Sequence, residues 1–263
     1  MVAHLKNLYE FRQLISMWTF REIRVRYKQS LLGAAWAILQ PLVLMLMFTF
    51  VFSKIARFDT GDIPYPIFSY TALLPWTLFA TSISFGVNAL INNMNLVTKT
   101  YFPREVLPLG VIGAALFDFL IASSIFIFLM IYYSIPITPL FLWIPVFLIN
   151  QIMMMLGVMM LGSALTVFYR DVRFVVPLGL QLWLYATPII YPMNLVDEAI
   201  PQFRSLYMLN PMAGIVESYR QVILRGEPPI MADLGTAAIV SVVIFVVAYI
   251  IFKRLEVLFN DLI

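Results

Sequence analysis

The chain alternates between long apolar runs and short polar connections. A helix needs about 20 apolar residues to cross the roughly 30 Å of hydrocarbon in a bilayer. Six runs approach or exceed this length, and the fifth is the shortest. Because Pro188 and Pro192 lie at its end, we expect this span to be tilted or broken there. The predicted spans cover residues 31–53, 68–91, 107–133, 140–168, 175–191 and 234–252.

These runs predict an all-α membrane protein with six transmembrane helices. An amphipathic segment precedes them, because apolar residues recur there at three- and four-residue spacing. We therefore expect a cytoplasmic interface helix within residues 1–30 and a six-helix transmembrane domain over residues 31–263. The apolar stripe consists of Leu8, Phe11, Ile15 and Trp18.

The connection between the fifth and sixth spans is long and only half apolar. Residues 193–233 contain short helical patterns separated by prolines. We expect two short helices that dip into the outer membrane interface, with a turn at Asn210 and Pro211. Glu217 and Arg220 are three residues apart on the second helix, and this spacing favours an ion pair.

Composition supports a membrane protein and limits its chemistry. The chain is 62% hydrophobic and 12% charged, whereas soluble domains carry about 25% charged residues. Cysteine is absent and histidine occurs once, so the sequence offers no disulfide framework or thiolate nucleophile. Most of its 17 lysines and arginines fall on one set of connections. That bias predicts that both termini lie in the cytoplasm.

A cationic helix face directly precedes the first span. It contains Arg21, Arg24 and Lys28, and Glu22 and Arg26 are spaced as a favourable i,i+4 pair. Such a helix would lie in the membrane plane with its arginines toward lipid phosphates. The alternative is a plain positively charged anchor for the first span.

Asp118 is the one acidic residue within the predicted spans. An ionisable group at membrane depth is a functional-site hypothesis by default. A structural role is the alternative, with the carboxyl neutral or paired to Asn150 or Gln151 of the fourth span.

Several stretches together resemble one family along nearly the whole chain. They occur in the same order as in the permease subunits of ABC-2 type polysaccharide exporters, in the branch that exports O-antigen and teichoic acid. The stretches are REIRVRYKQSLLGAAWAILQP, YFPREVLPL, FYRDVRFVVP, TPIIYPM, LNPMAGIVESYRQVILRG and the tail FKRLEVLFNDLI.

The resemblance implies half of a transporter in the bacterial inner membrane. Two copies would form a channel for lipid-linked polysaccharide among membrane lipids, and two separate ATP-binding cassette subunits would hydrolyse ATP. The sequence itself contains no G-x-x-x-x-G-K-[ST] phosphate loop. We therefore expect no catalytic residue, metal or cofactor on this chain, ATP and Mg²⁺ on the partner subunit, and no nucleic-acid partner.

The predicted cytoplasmic connections are available to contact an ATPase. Pro103 breaks any helix that continues through residues 93–100, so that segment is expected to form a short coupling helix; an ordinary loop is the alternative. Arg170 and Asp171 are expected to pair or to cap the start of the fifth span. The candidate coupling residues are Arg21, Glu22, Arg26, Lys99, Phe102, Arg104, Arg170 and Asp171.

A polysaccharide path favours aromatic side chains, because their flat faces complement the C–H faces of sugar rings. The resemblance implies a channel between the first and fifth spans of two protomers, and favours Trp183, Tyr185 and Tyr191. Lipid contact, core packing or an interfacial belt is the alternative for each aromatic. The candidates are Trp36, Phe48, Trp76, Phe79, Trp183, Tyr185 and Tyr191.

The resemblance also implies an outer gate, and other functions compete with polysaccharide export. The gate residues would be Asn210, Pro211, Glu217 and Arg220. An ABC-2 exporter of a drug or small lipid is one alternative, and a membrane-bound sugar transferase is another. A proton-coupled transporter is a third and would depend on Asp118 alone.

Overall fold

The computed structural model describes residues 9–100 and 102–260, and each regular element in these ranges is helical. The all-α prediction is therefore confirmed at this level, whereas Leu8 of the predicted stripe lies outside the described residues. The helices are α1 (Arg12–Tyr27), α2 (Trp36–Phe48), α3 (Tyr65–Gly86), α4 (Met94–Lys99), α5 (Val106–Tyr132), α6 (Ile144–Phe168), α7 (Val172–Tyr185), α8 (Met193–Ala199), α9 (Arg204–Tyr207), α10 (Pro211–Arg220) and α11 (Met231–Glu256).

Within the described residues, four helical stretches are long and apolar enough to cross a membrane, and a fifth qualifies if a bent pair counts as one span. The bent pair joins Tyr65–Gly86 to Ile91–Val97 at an angle of 49°. The predicted span at 175–191 is instead α7, whose 14 residues cover about 21 Å at 1.5 Å per residue. The four long stretches are Gly33–Ile55, Val106–Tyr132, Pro139–Phe168 and Met231–Phe259.

The chain turns sharply after α7. Thr187 Oγ1 donates a hydrogen bond of 2.8 Å to the Trp183 carbonyl, and the Ile189 amide donates to the Thr187 carbonyl at 2.7 Å. Pro188 and Pro192 have no amide hydrogen with which to continue a helix. The predicted break near this end is therefore present, and it lies at Tyr185.

Helix α1 packs directly on α5. Trp18 is buried against Gly110, where an added Cβ would lie 2.5 Å from the indole, and Thr19 is equally close to Gly113. Glycine is required at both positions because the two helices approach so closely. Helix α1 is thus part of the bundle, with Met17 and Phe20 exposed on its other face.

Helix α10 lies inside the protein, and all ten of its residues are buried. It packs on α3, α6 and α11, with Gly214 so close to α11 that an added Cβ would lie 2.9 Å from the Asp233 carbonyl oxygen. The sequence predicted a short helix here, and the structure adds that it is enclosed by other helices; its depth in the membrane stays a prediction. We call the end formed by residues 56–64 and 186–230 the outer end, and the opposite end, with α1 and α4, the inner end.

Candidate functional site

Asn210 connects the broken end of α7 to the start of α10. Its Oδ1 accepts hydrogen bonds from Trp183 Nε1 at 2.8 Å and from the Met212 amide at 3.1 Å. Its Nδ2 donates to the Ala186 carbonyl and to Thr187 Oγ1, both at 3.0 Å. Asparagine is a favoured N-cap, and Pro211 is well suited to the first helical position. The structure thus brings together Trp183 and Asn210, which the sequence assigned to a channel and a gate.

An aromatic group supports Trp183 from within the bundle. The Phe79 ring packs edge-on against Trp183 at 5.0 Å between centroids, and Trp76 lies 5.4 Å from Phe79. Trp76 and Phe79 are both buried. In this conformation they hold Trp183 in place and do not reach a surface from which to contact a polymer.

The other predicted channel aromatics differ in exposure. Trp36 and Tyr185 are more than half exposed, and Phe48 packs edge-on against Phe52 at 5.8 Å. Tyr191 donates a hydrogen bond of 2.8 Å to the Tyr185 carbonyl, so it stabilises the turn after α7. Trp36 and Tyr185 are therefore the members of the predicted set that this chain leaves most open.

Arg220 is almost completely buried, and its side chain stabilises the turn that follows α7. Its Nη2 donates a hydrogen bond of 2.8 Å to the Ile189 carbonyl, and its Nη1 donates to the Pro188 carbonyl. The guanidinium lies 3.7 Å above the Phe68 ring centroid, a cation–π arrangement. Burial lowers the pKa of Arg220 to about 10, so the group is still a cation at neutral pH.

Glu217 provides the counter-charge for two arginines. Its carboxylate lies 3.8 Å from Arg220 and 3.4 Å from Arg225, which confirms the predicted Glu217–Arg220 pair. Burial raises the pKa of Glu217, and the two guanidinium groups oppose that increase. All four predicted gate residues, including Asn210 and Pro211, are therefore structural elements of the outer end.

A second ion-pair group holds α9 to its neighbours and was not found from the sequence. Arg204 contacts Asp197 at 2.9 Å and Asp233 of α11 at 2.8 Å. The hydrogen bond to Asp233 raises the pKa of Arg204. Periodicity carries no signal for this group, because Arg204 and Asp233 are 29 positions apart.

At the inner end, Arg21 links α1 to the connection before α4. Its Nη1 donates a hydrogen bond of 3.0 Å to Asn93 Oδ1, and it lies 3.4 Å from Glu22. The predicted i,i+4 pair of Glu22 with Arg26 is wrong, because Arg26 turns toward Asp118 in α5.

Asp118 is held by the end of α1. Arg26 and Tyr27 both donate hydrogen bonds to its carboxylate, at the edge of a cavity of about 450 Å³ between α1, α2, α3 and α5. The predicted partners on the fourth span are therefore wrong, and Gln151 instead donates to the Pro75 carbonyl at 2.6 Å. Arg26 is consequently directed into the bundle, toward Asp118.

The predicted coupling connection contains a short helix, as expected. Helix α4 ends at Lys99, which is exposed, whereas Phe102 is buried. Arg104 donates hydrogen bonds to the Thr100 carbonyl at 3.0 Å and to the Phe102 carbonyl at 3.3 Å. The Arg104 side chain thus shapes this connection from within.

The turn before α7 is exposed and carries Arg170 and Asp171, which were expected to pair with each other or to cap the helix. The structure shows neither contact. Asp171 is at the N-cap position of α7 but its side chain makes no capping hydrogen bond. Arg170 forms no ion pair with Asp171 among the described residues. Both side chains are therefore open to a partner.

A buried ion pair joins the connection between α4 and α5 to the last helix, α11. This pair was also not found from the sequence. Glu105 is 1% exposed and pairs with Lys253 of α11, which also lies 2.7 Å from Glu256. Sequence spacing cannot indicate this pair, because Glu105 lies near the middle of the chain and Lys253 lies near its C-terminal end. The pair fastens the connection between α4 and α5 to α11.

Comparisons with known proteins give one consistent result. A family model described as ABC-2 type transporter matches residues 13–224. The O-antigen export system permease protein RfbA of Myxococcus xanthus is 32% identical over 96% of both chains, and that of Klebsiella pneumoniae is 29% identical over 97% of both. The polysialic acid transport protein KpsM of Escherichia coli is 25% identical over 90% of this chain and 91% of its own.

Proposed function

The chain belongs to the ABC-2 type transporter family, and we propose that it is the membrane-spanning subunit of an exporter of lipid-linked polysaccharide, an O-antigen or a related polymer. The observation that carries the proposal is the end-to-end similarity to permeases named for O-antigen export. The lower identity to a polysialic acid transport protein favours the O-antigen branch. The apolar helices and the similarity to permeases of export systems together make the chain a multi-pass protein of the inner membrane.

We propose six crossings with both termini in the cytoplasm. The fifth crossing would combine α7 with the turn that follows it. Asn210 and Arg220 support this proposal, because they satisfy backbone carbonyls of residues 186–189 that a lipid environment would otherwise leave unpaired. The excess of lysine and arginine at the inner end supports the orientation.

ATP hydrolysis is assigned to a separate subunit, because the sequence has no phosphate loop. ATP and Mg²⁺ would be bound there, and two such subunits would serve one transporter. The inner end offers a surface for them: the exposed face of α1, the exposed Lys99, and the turn at Arg170 and Asp171. The hydrogen bond from Arg21 to Asn93 would pass movement of α1 to the connection before α5.

A second copy of the chain would complete the channel. Helices α2 and α7 expose apolar side chains that no part of this chain covers among the described residues, with Trp36 and Tyr185 at their ends. Exposed faces of this kind suit either lipid or a second protomer. We assign the polymer path to the space between α2 and α7 of the two copies. The exposed apolar residues include Val43, Leu46, Met47, Phe50, Phe174, Val175, Leu178 and Leu182.

The proton-coupled alternative is weakened by the surroundings of Asp118. Its carboxylate already accepts hydrogen bonds from Arg26 and Tyr27, so it joins α1 to α5 and has an evident structural role. We expect Asp118→Asn to retain ATP-driven export when the proton gradient is collapsed.

Deletion and complementation test the proposed function. A strain that lacks the chain should keep its polysaccharide inside the cell, and a plasmid-borne copy should restore surface polysaccharide, as detected by immunoblot of intact cells. Normal surface polysaccharide in the deletion strain would overturn the proposal. Accumulated intracellular polymer distinguishes a block in export from a block in synthesis.

A further inference from the structure

A cavity of about 500 Å³ opens at the outer end, and its lining does not include Trp76, Phe79 or Trp183. The connection before α3 forms one wall, and the start of α8 and the end of α10 form the others. Its size is within the range of small-molecule sites, about 300–1,000 Å³. The polar lining residues are Asp59, Thr60, Asp62, Asn194, Arg220 and Arg225.

The base of this outer cavity is rigid. Arg220 lines it and is 1% exposed, with its guanidinium fixed by the Ile189 carbonyl and the Phe68 ring. Its Nε is buried and has no hydrogen-bond acceptor within the described part of the chain. This atom is enclosed by the protein, so the contacts with a ligand fall to the exposed residues at the rim.

The rim of the outer cavity carries free acceptors and donors. Asp62 and Asn194 are exposed, and neither side chain makes a hydrogen bond to another described residue. Asp59 accepts a hydrogen bond of 2.8 Å from the Gly61 amide through Oδ1. Arg225 is 42% exposed and is only partly satisfied by Glu217, at 3.4 Å.

The mixture of charges selects the class of ligand. A phosphate would meet Asp59 and Asp62, and a metal cation would meet Arg220 and Arg225. A sugar hydroxyl both donates and accepts, so a neutral saccharide satisfies carboxylates and guanidinium groups together. Leu224 and Ile63 add apolar surface to the walls for C–H groups.

We propose that the outer cavity is a saccharide-binding subsite for a short neutral segment of the exported polymer. The inference rests on the proposed function, and it adds a site outside the path between protomers. Because the cavity lies at the end opposite α1, it would hold sugar units that have already crossed the membrane. Binding there would oppose backward movement of the polymer.

Binding of a lipid-free oligosaccharide tests the subsite. The probe is a fragment of two or three repeat units released from the strain's own surface polysaccharide, added to the full chain in detergent and followed by saturation-transfer difference NMR. We expect Asp62→Ala combined with Asn194→Ala to weaken binding about tenfold or more, because the double variant loses one charged and one neutral hydrogen-bonding group at the rim. Glu198→Ala, an exposed change on α8 outside the cavity, should bind as the unchanged chain does.

The controls separate failure of the subsite from failure of the proposed function. Equal thermal unfolding of all variants would show that the double substitution acts locally. If the unchanged chain restores surface polysaccharide and the double variant binds the fragment with unchanged affinity, the subsite is overturned and the proposed function stands. Displacement of the fragment by millimolar inorganic phosphate would also overturn the saccharide assignment. If the unchanged chain restores no surface polysaccharide, the proposed function itself fails.

Discussion

Trp183 Nε1 and Asn210 Oδ1 are joined by a hydrogen bond of 2.8 Å across the outer end of the protein. The bond connects the last turn of α7 to the N-cap of the buried helix α10. A displacement of α10 would therefore break a bond to α7, which we assign to the polymer path. Through this bond, we expect the positions of α7 and α10 at the outer end to depend on each other.

Replacing Asn210 tests that unit. Asn210→Ala removes an N-cap, worth about 0.5–2 kcal/mol, and leaves Trp183 Nε1 without its acceptor. We expect a lower thermal unfolding temperature in detergent, by about 2–4 °C for each kcal/mol lost, together with reduced export. Gln202→Ala, an exposed change in the same outer connection, should leave both unchanged, and equal stability of the two variants would contradict the assignment.

Arg220 is expected to be the most sensitive residue of the outer end. Arg220→Met removes hydrogen bonds to the carbonyls of Pro188 and Ile189 and leaves Glu217 with one cation fewer. Breaking a buried pair costs about 3–5 kcal/mol, so the variant should unfold at a much lower temperature. Adding Glu217→Gln should recover part of that loss, and a double variant less stable than Arg220→Met would show that the pair is not coupled.

The exposed aromatics test contact with the polymer without disturbing the fold. Trp36→Ala and Tyr185→Ala remove side chains that are more than half exposed, so unfolding temperatures should stay unchanged. Export by cells that carry both changes should fall severalfold, because flat surfaces for sugar rings are lost. Leu120→Ala, on an exposed face of α5, is the control, and full export by the double variant would remove these residues from the path.

The pair of Lys253 with Glu105 tests coupling at the inner end. Lys253→Met leaves a buried carboxylate without its cation, which loosens the connection between α4 and α5. We expect more ATP hydrolysed per polymer exported in the complex with the ATPase subunit. The control is Arg254→Met, which changes a neighbouring exposed cation with no ion pair among the described residues and should leave the ratio unchanged. An unchanged ratio in Lys253→Met would show that the pair has no coupling role.

The sequence predicted helix positions well because apolar runs determine where membrane helices form. It also predicted the break after α7, the short helix α4 and the pair of Glu217 with Arg220, since each depends on residues close in sequence. It did not predict the partners of Asp118 or Glu105, because hydrophobic periodicity carries no information about which helices become neighbours. The burial of α10 was missed for the same reason. Its charged residues Glu217 and Arg220 have partners in Arg225 and in the carbonyls of the turn after α7, and only folding brings that turn close to α10.

Reconstitution with the partner ATPase tests the central claim most directly. The purified chain alone in proteoliposomes should hydrolyse no ATP, and the complex should move lipid-linked polysaccharide across the membrane only when ATP is supplied. Transport would be measured as polymer that becomes protected from, or accessible to, an added glycosidase. ATP hydrolysis by the isolated chain would contradict the account. So would a complex that hydrolyses ATP but leaves the polymer on its original side of the membrane.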